Sequence, residues 1–509
     1  MTSTTASGIG AAFDAQGVAG YVAGRTWRLA IGGELVDAAS GRTYPTFDPS
    51  TRTLLAHVPD GDAADVERAY RAAAAAQEQW AETAPRQRAR LLRDLAALVD
   101  EHALELAALD AVDLGSPLRS MLLDVERATD SLRLFADWSL QLTGEVVPAS
   151  AEHLHYTRRE PFGVVGRILP FNHPLMFAAG KAAAPLLAGN ALIIKPAHQT
   201  PLSALRFGEL AQQVLPAGLV NVVSGQGPET GAALVTHPRI RRLAFIGSER
   251  TGRLVQAAAA AAAVKQVSLE LGGKNAMLVF PDADLAAAAR SAVTGMNLEA
   301  STGQSCGSTS RLLLHASIAD QVLPAVVDAF QALRVGPALD EATEVGPLVS
   351  EQQQEKVRGL VDDAVAAGAV LECGGTTASA AAPTEAGFYY PPTVLSAVDP
   401  AMRIAREEAF GPVLTVFTFQ TEAEAVALAN DLDYGLTASV WTSDINRAHR
   451  LAHDLEAGFV WINGSSQHFP GVPYGGVKAS GIGREECLDE LLSFTQVKSV
   501  NVMGALARR

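Results

Sequence analysis

Short apolar runs recur along this 509-residue chain, each bounded by turn residues and separated by stretches with helical spacing. Five form a first series: VVGRIL (164–169), ALIIK (191–195), LVNVV (219–223), RLAFI (242–246) and QVSLEL (266–271). A second series comprises AMLVF (276–280), RLLLH (311–315), PVLTVF (412–417) and SVWT (439–442). Such runs, alternating with helices, predict parallel sheets covered on both faces. Two α/β units are therefore expected, joined near residue 274.

The flanking segments differ. Residues 27–59 alternate short β-type runs with turn signals. Residues 62–143 read as helices, with Asp62 as a cap and Leu91, Leu95, Leu98 and Val99 on one face. The run Ala257 to Ala263 also reads as helix. Residues 1 to about 20 read as a loose lead-in. A β-type segment, LHYTRREPFGVVGRIL, precedes the first series, and LSFTQVKSVNV (492–502) is a lone β-type stretch after the last helix. Such a strand is suited to pair with another element or another subunit.

Composition narrows the function classes. Hydrophobic residues make up 48% and charged residues 19%, enough for a large interior. A net charge of −15, from 55 acidic against 40 basic residues, argues against nucleic acid as a partner. Three widely spaced cysteines (Cys306, Cys373, Cys487) form neither a disulfide framework nor a zinc pattern, so a reducing cytoplasm and no metal are expected. The opening MTSTTASGIGAAFDAQG lacks a signal-peptide pattern, and no membrane span is expected.

Candidate chemistry begins at TGQSCGSTS, where Cys306 sits among small residues that leave a thiol approachable. Glycine-rich turns at VVSGQGPETG (Gly225, Gly227) and FIGSERTG (Gly247, Gly252) lead from strand to helix. They suit a phosphate at a helix N-terminus, or are ordinary βα turns, since neither is the strict dinucleotide fingerprint. Lys195 ends ALIIK, where ligands bind beyond a strand's carboxyl end. Glu270, in SLELGGKN, reads as a buried ion pair, a cap or a working carboxylate. Asn172 lies in the proline-bracketed PFNHP, a turn stiffened by Pro170 and Pro174.

In this order LPFNHP, IIKP, FIGS, LELGGKN, GQSC, EEAFGPV and PYGGVKASGIGRE resemble the aldehyde dehydrogenase superfamily, from about residue 27 to the end. The resemblance implies an α/β fold: a Rossmann-like dinucleotide-binding domain (21–144 and 166–273), an α/β catalytic domain (274–487) and a small β oligomerisation element (145–165 and 488–509). It implies oxidation of an aldehyde to the free acid with NAD or NADP, in a homodimer or homotetramer. Cys306 would be the nucleophile, Glu270 the general base and Asn172 an oxyanion donor. Lys195, Gly225, Gly247, Ser248, Gly252, Glu408 and Phe410 would hold the cofactor, with Lys181 and Glu485 in support. A CoA-acylating semialdehyde dehydrogenase is the alternative; it needs no water-activating base, which Glu270 would supply.

Departures carry information. Phe171 stands where the family usually has tryptophan, and Ser301 where it usually has asparagine. His198 replaces an acidic residue that would repel a 2′-phosphate, which leaves NAD and NADP both open. By resemblance the substrate pocket is lined by His173, Phe177, Gly180, Ala300, His468 and Tyr474. Small residues at 180 and 300 imply a wide tunnel, suited to a bulky, aromatic or polar aldehyde.

Overall fold

The computed structural model describes residues 15–150, 152–375 and 386–503. The first apolar series forms the centre of an eight-stranded sheet. Its parallel strands lie in the order Val220–Val222, Ala191–Lys195, Val164–Ile168, Arg242–Gly247 and Gln266–Leu271. The direction of chain progression reverses between Val164–Ile168 and Arg242–Gly247. In doubly wound sheets such a switch point opens a crevice at the strands' carboxyl ends. Leu29–Ile31 and Glu34–Val36 extend one edge antiparallel, and Gly481–Ile482 pairs antiparallel at the other.

The second series builds a seven-stranded sheet: Val370–Cys373, Thr393–Ser396, Val413–Phe419, Arg311–His315, Ala276–Val279, Thr437–Trp441 and Phe459–Ile462. All neighbours are parallel except the first pair. Alternate residues feed opposite faces. Leu278, Leu313, Leu395 and Val413 enter one core, and Met277, Val279, Leu312 and Leu414 enter the other. Burial on both faces explains why these strands read as continuous apolar runs. A third, three-stranded sheet pairs Thr495–Met503 with His153–Pro161 over its whole length, with Val146–Val147 on the far side.

Asp62 caps Ala63–Glu82 through Ala64 N and Asp65 N. In Pro85–Glu101, Leu95 and Val99 are buried with Leu92, while Leu91 and Leu98 are half-buried. The alanine run lies in Glu249–Ala262, except Ala263, which is its extended C-cap.

Other boundaries move. Residues 15–20 of the expected lead-in belong to the helix Ala15–Gly24, because Val18 and Val22, one turn apart, both enter the first core. Residues 1–14 lie outside the described residues, as do 151 and 504–509 of the expected oligomerisation element. Val164 and Val165, read into that element, begin a central strand instead. Leu491 and Phe494 are also packed into the first core, so the chain leaves that core only at the final strand. Gly481 and Ile482, read into the catalytic unit, cap the edge of the first sheet. Among the described residues no helix is long and apolar enough to cross a membrane.

Candidate active site

Cys306 follows a short helix, Leu298–Ser301, and a tight turn. Thr302 has φ 56° and Gly303 φ 72°. A left-handed threonine is strained, since its branched Cβ crowds the backbone. Here it is held by Thr302 N–H donating to Leu298 O at 3.0 Å and Thr302 Oγ1 donating to Gly346 O at 3.1 Å. A Cβ at Gly303 would stand 2.5 Å from Gly411 O, so the turn seats directly against the 408–412 segment. Asn275 Nδ2 donates to Cys306 O at 2.7 Å and Ser308 O at 2.9 Å, while its Oδ1 accepts from Thr437 N–H. Asn275 and Thr302 therefore set the cysteine's backbone. Both lie inside quoted motifs, yet only the fold reveals their roles.

The half-buried Cys306 thiol is flanked by two groups. Tyr474 Oη lies 3.8 Å from Sγ. The Glu270 carboxyl, at the carboxyl end of Gln266–Leu271, also acts electrostatically on the thiol. Glu270 is buried, and its Oε1 has no hydrogen-bond partner among the described residues. Burial, aided by Glu485, pushes its carboxyl up to about 8, against the pull of Cys306 and Lys181. Burial and the Glu270 charge likewise raise the Cys306 thiol.

Behind this pair lies a compensated charge cluster. Lys181 Nζ is 2.9 Å from Glu485, and Arg167 lies 3.4 Å from Glu485 and 2.5 Å from Glu490. Burial alone would raise Glu485, but Lys181 and Arg167 outweigh it and hold the carboxyl below its usual range. Arg167 and Glu490 carried no sequence signal, because Arg167 hides inside the apolar run VVGRIL.

The first sheet's carboxyl ends assemble the expected cofactor positions. Lys195 is buried at the end of its strand, and among the described residues no carboxylate forms an ion pair with it. Burial lowers its ammonium to about 8, against Asp60. Burial and then the Lys195 charge lower His198, which favours its neutral form. Ser248 caps Glu249–Ala262 by accepting from Thr251 N–H, and this helix N-terminus opens at the switch point. Glu408 Oε1 accepts from Gly273 N–H at 3.0 Å, and burial pushes that carboxyl up to about 7. Phe410, with φ 53°, meets Phe171 edge-on at 5.6 Å. An unpaired cation, a capped helix N-terminus and a half-buried carboxyl near the strands' carboxyl ends suit a dinucleotide's phosphates and riboses. Gly225 and Gly252 are also required for packing: an added Cβ would meet Thr230 Oγ1 at 2.1 Å or Leu271 Cδ2 at 2.7 Å.

Asn172 is buried just beyond Val164–Ile168. Next to it, His173 Nδ1 lies 2.6 Å from Asp124 Oδ2, and its ring meets Phe177 edge-on at 5.8 Å. His468 Nδ1 lies 2.9 Å from Glu486, and its ring is 4.5 Å from that of Tyr474. Ala300 is half-buried in Leu298–Ser301. Gly180 packs on the helix Leu118–Asp137, where an added Cβ would make ordinary contact with Ser131 at 3.4 Å. A larger residue at 180 would therefore start against that helix.

Comparison with known proteins identifies the family and the fold. The aldehyde dehydrogenase family model matches residues 35–500. Aldehyde dehydrogenase tropH of Talaromyces stipitatus is 44% identical over 463 residues, 90% of this chain and 89% of that protein. The NAD+ complex of a Bacillus cereus aldehyde dehydrogenase is 39% identical, with a TM-score of 0.91, covering 95% of this chain and 98% of that one. A mutant of the P. syringae indole-3-acetaldehyde dehydrogenase AldA, in complex with NAD+ and IAA, is 38% identical with a TM-score of 0.90, covering 94% and 97%. The chain belongs to the aldehyde dehydrogenase family.

Proposed function

We propose that this enzyme oxidises an aldehyde to the free carboxylic acid through a covalent intermediate on Cys306, with NAD+ or NADP+ as oxidant. The observation that carries the reading is the buried Glu270 carboxyl, its Oε1 unpartnered among the described residues, acting electrostatically on the Cys306 thiol. The Cys306 thiolate attacks the carbonyl carbon, and the carbonyl electron pair moves to oxygen, giving a thiohemiacetal. The Asn172 amide and the Cys306 backbone N–H stabilise that oxyanion. The bound dinucleotide supplies the hydride acceptor that takes this intermediate to a thioester. Glu270, once ionised, takes a proton from water, whose oxygen attacks the thioester and releases the acid. The Lys181–Glu485 cluster holds a fixed charge behind Glu270.

Lys195, His198, Gly225, Gly247, Ser248, Gly252, Glu408 and Phe410 form the cofactor crevice in this reading. A neutral His198 does not repel a 2′-phosphate, so NADP+ is accepted as well as NAD+. The pocket lined by His173, Phe177, Gly180, Ala300, His468 and Tyr474 takes a bulky aldehyde, aromatic or bearing a polar group. In this reading cofactor binding centres on 21–144 and 164–273 with the edge strand Gly481–Ile482, catalysis on the rest of 274–487, and assembly on 145–163 with the final strand Thr495–Met503. The strand Thr495–Met503 pairs on one edge only among the described residues, and Val497 and Met503 are exposed. Such an edge supports a homo-oligomer. Three free thiols fit a cytoplasmic enzyme.

The test is steady-state oxidation of a benzaldehyde-sized aldehyde with each cofactor, alongside Cys306→Ala. Wild type is expected to release free acid without added CoA, and the variant to lose turnover while retaining cofactor binding. Appreciable oxidation by Cys306→Ala would sink the assignment, and a strict need for CoA would replace hydrolysis by acyl transfer.

A further inference from the structure

Tyr474 is placed more specifically than an aromatic wall requires. It is only 4% exposed, and among the described residues its hydroxyl has one hydrogen-bond partner, Cys306 Sγ at 3.8 Å. The backbone and the ring of the residue are both held in place. Tyr474 N–H donates to Glu485 O at 3.0 Å, and Glu485 N–H donates back to Tyr474 O at 2.7 Å. The ring packs on Phe459 at 5.5 Å and on His468 at 4.5 Å, inside a small core that Cys306 itself touches. At Gly307 an added Cβ would come within 3.1 Å of Tyr474 Oη, so the residue after the cysteine is kept small beneath the hydroxyl.

A wall needs the ring and not the oxygen. A phenylalanine would bury the same surface without desolvating a polar group, whose burial is costly when poorly satisfied. We propose that the Tyr474 hydroxyl is a hydrogen-bond donor to the Cys306 thiolate and stabilises the nucleophile before the aldehyde arrives. The proposal rests on the reading of Cys306 as nucleophile and deepens it.

The surroundings make a donor useful at this position. The charged groups acting on the thiol are Glu270 and Glu408, both acidic, and Tyr474 Oη is the hydrogen-bond partner of Sγ among the described residues. When Cys306 ionises, its proton passes to the Glu270 carboxylate or to solvent, and sulfur keeps the electron pair. The phenolic O–H then donates to the new anion, and such charge-assisted hydrogen bonds are the stronger class. Burial, with Cys306, Glu270 and Glu486 nearby, holds the phenol well above its usual range, so it stays a donor throughout the working pH.

The experiment is the pH profile of Cys306 alkylation by iodoacetamide on the intact enzyme, with the Cys306→Ala variant as background for Cys373 and Cys487. Tyr474→Phe keeps the ring and removes the oxygen. Its inflection is expected to move up by about one pH unit, making alkylation near neutral pH roughly tenfold slower, while the plateau at high pH is not lowered. Phe459→Leu loosens the same ring cluster but keeps the hydroxyl, and is expected to leave the inflection in place. An unchanged inflection in Tyr474→Phe, or an equal shift in both variants, would overturn the proposal. Failure of the nucleophile reading has a separate signature, because Cys306→Ala would then keep its turnover.

Discussion

Two buried carboxylates, Glu270 and Glu485, stand within reach of each other's charge and ionise in opposite directions. They are 6% and 9% exposed, so burial does not separate them. Partners do. Glu485 meets Lys181 at 2.9 Å and Arg167 at 3.4 Å and is held as an anion. Glu270 has an Oε1 without a partner among the described residues and rises to about 8. In one site the first is a fixed countercharge and the second a group that exchanges its proton near working pH. In the proposed mechanism a base must release its proton again after each cycle, which incomplete compensation allows.

The contrast is broken most severely at Glu270 itself. Glu270→Gln keeps the shape and removes the titrating proton. It is expected to give one burst of reduced cofactor per site, followed by a steady state slower by about three orders of magnitude. Stopped-flow absorbance reads both phases. Loss of the burst, with cofactor still bound, would mean that Glu270 acts before the thioester forms.

Lys181→Met attacks the compensated side and is expected to do less to catalysis but more to the fold. Glu485 and Glu490 would share Arg167 alone, and breaking a buried ion pair costs about 3–5 kcal/mol. Urea denaturation measures that loss. Lys181 also pulls Glu270 down, so the inflection of the steady-state rate, expected near 8 in wild type, should move to higher pH in the variant. An unmoved inflection would show that the cluster does not act on Glu270.

What the sequence revealed and what it hid divide along the same line. Strands in the two large sheets were legible because burial on both faces writes a local apolar run, and Cys306, Glu270 and Asn172 because they sit in motifs with a fixed order. The compensating charges were not legible. Arg167 finds Glu485 and Glu490 across 318 and 323 residues, and no local spacing encodes that choice. The same is true of Gly481–Ile482, a two-residue strand that closes the first sheet from the far end of the chain, and of Asp124, which meets His173 from a helix 49 residues earlier. Local pattern specifies elements, whereas ionisation is set by whichever elements arrive last.

The two carboxylates also leave opposite marks on stability, and this is the smallest effect expected. Glu485 has a lowered folded value, so its contribution is present above the ordinary glutamate range and is lost as pH falls. Glu270 is raised from 4.5 to about 8, so between those values the folded protein holds a proton that the unfolded chain has released. The contribution of Glu270 to stability therefore falls as pH rises through that window. Glu408 and Asp110, each raised to about 7, add slopes of the same sign, but both remain when Glu270 is replaced and cancel in the difference. The unfolding free energy of Glu270→Gln relative to wild type should accordingly grow between pH 6 and pH 9, by about 1–3 kcal/mol, in denaturant titrations at fixed salt. A constant offset across that range would place the Glu270 proton outside the window and remove the physical basis for its contrast with Glu485.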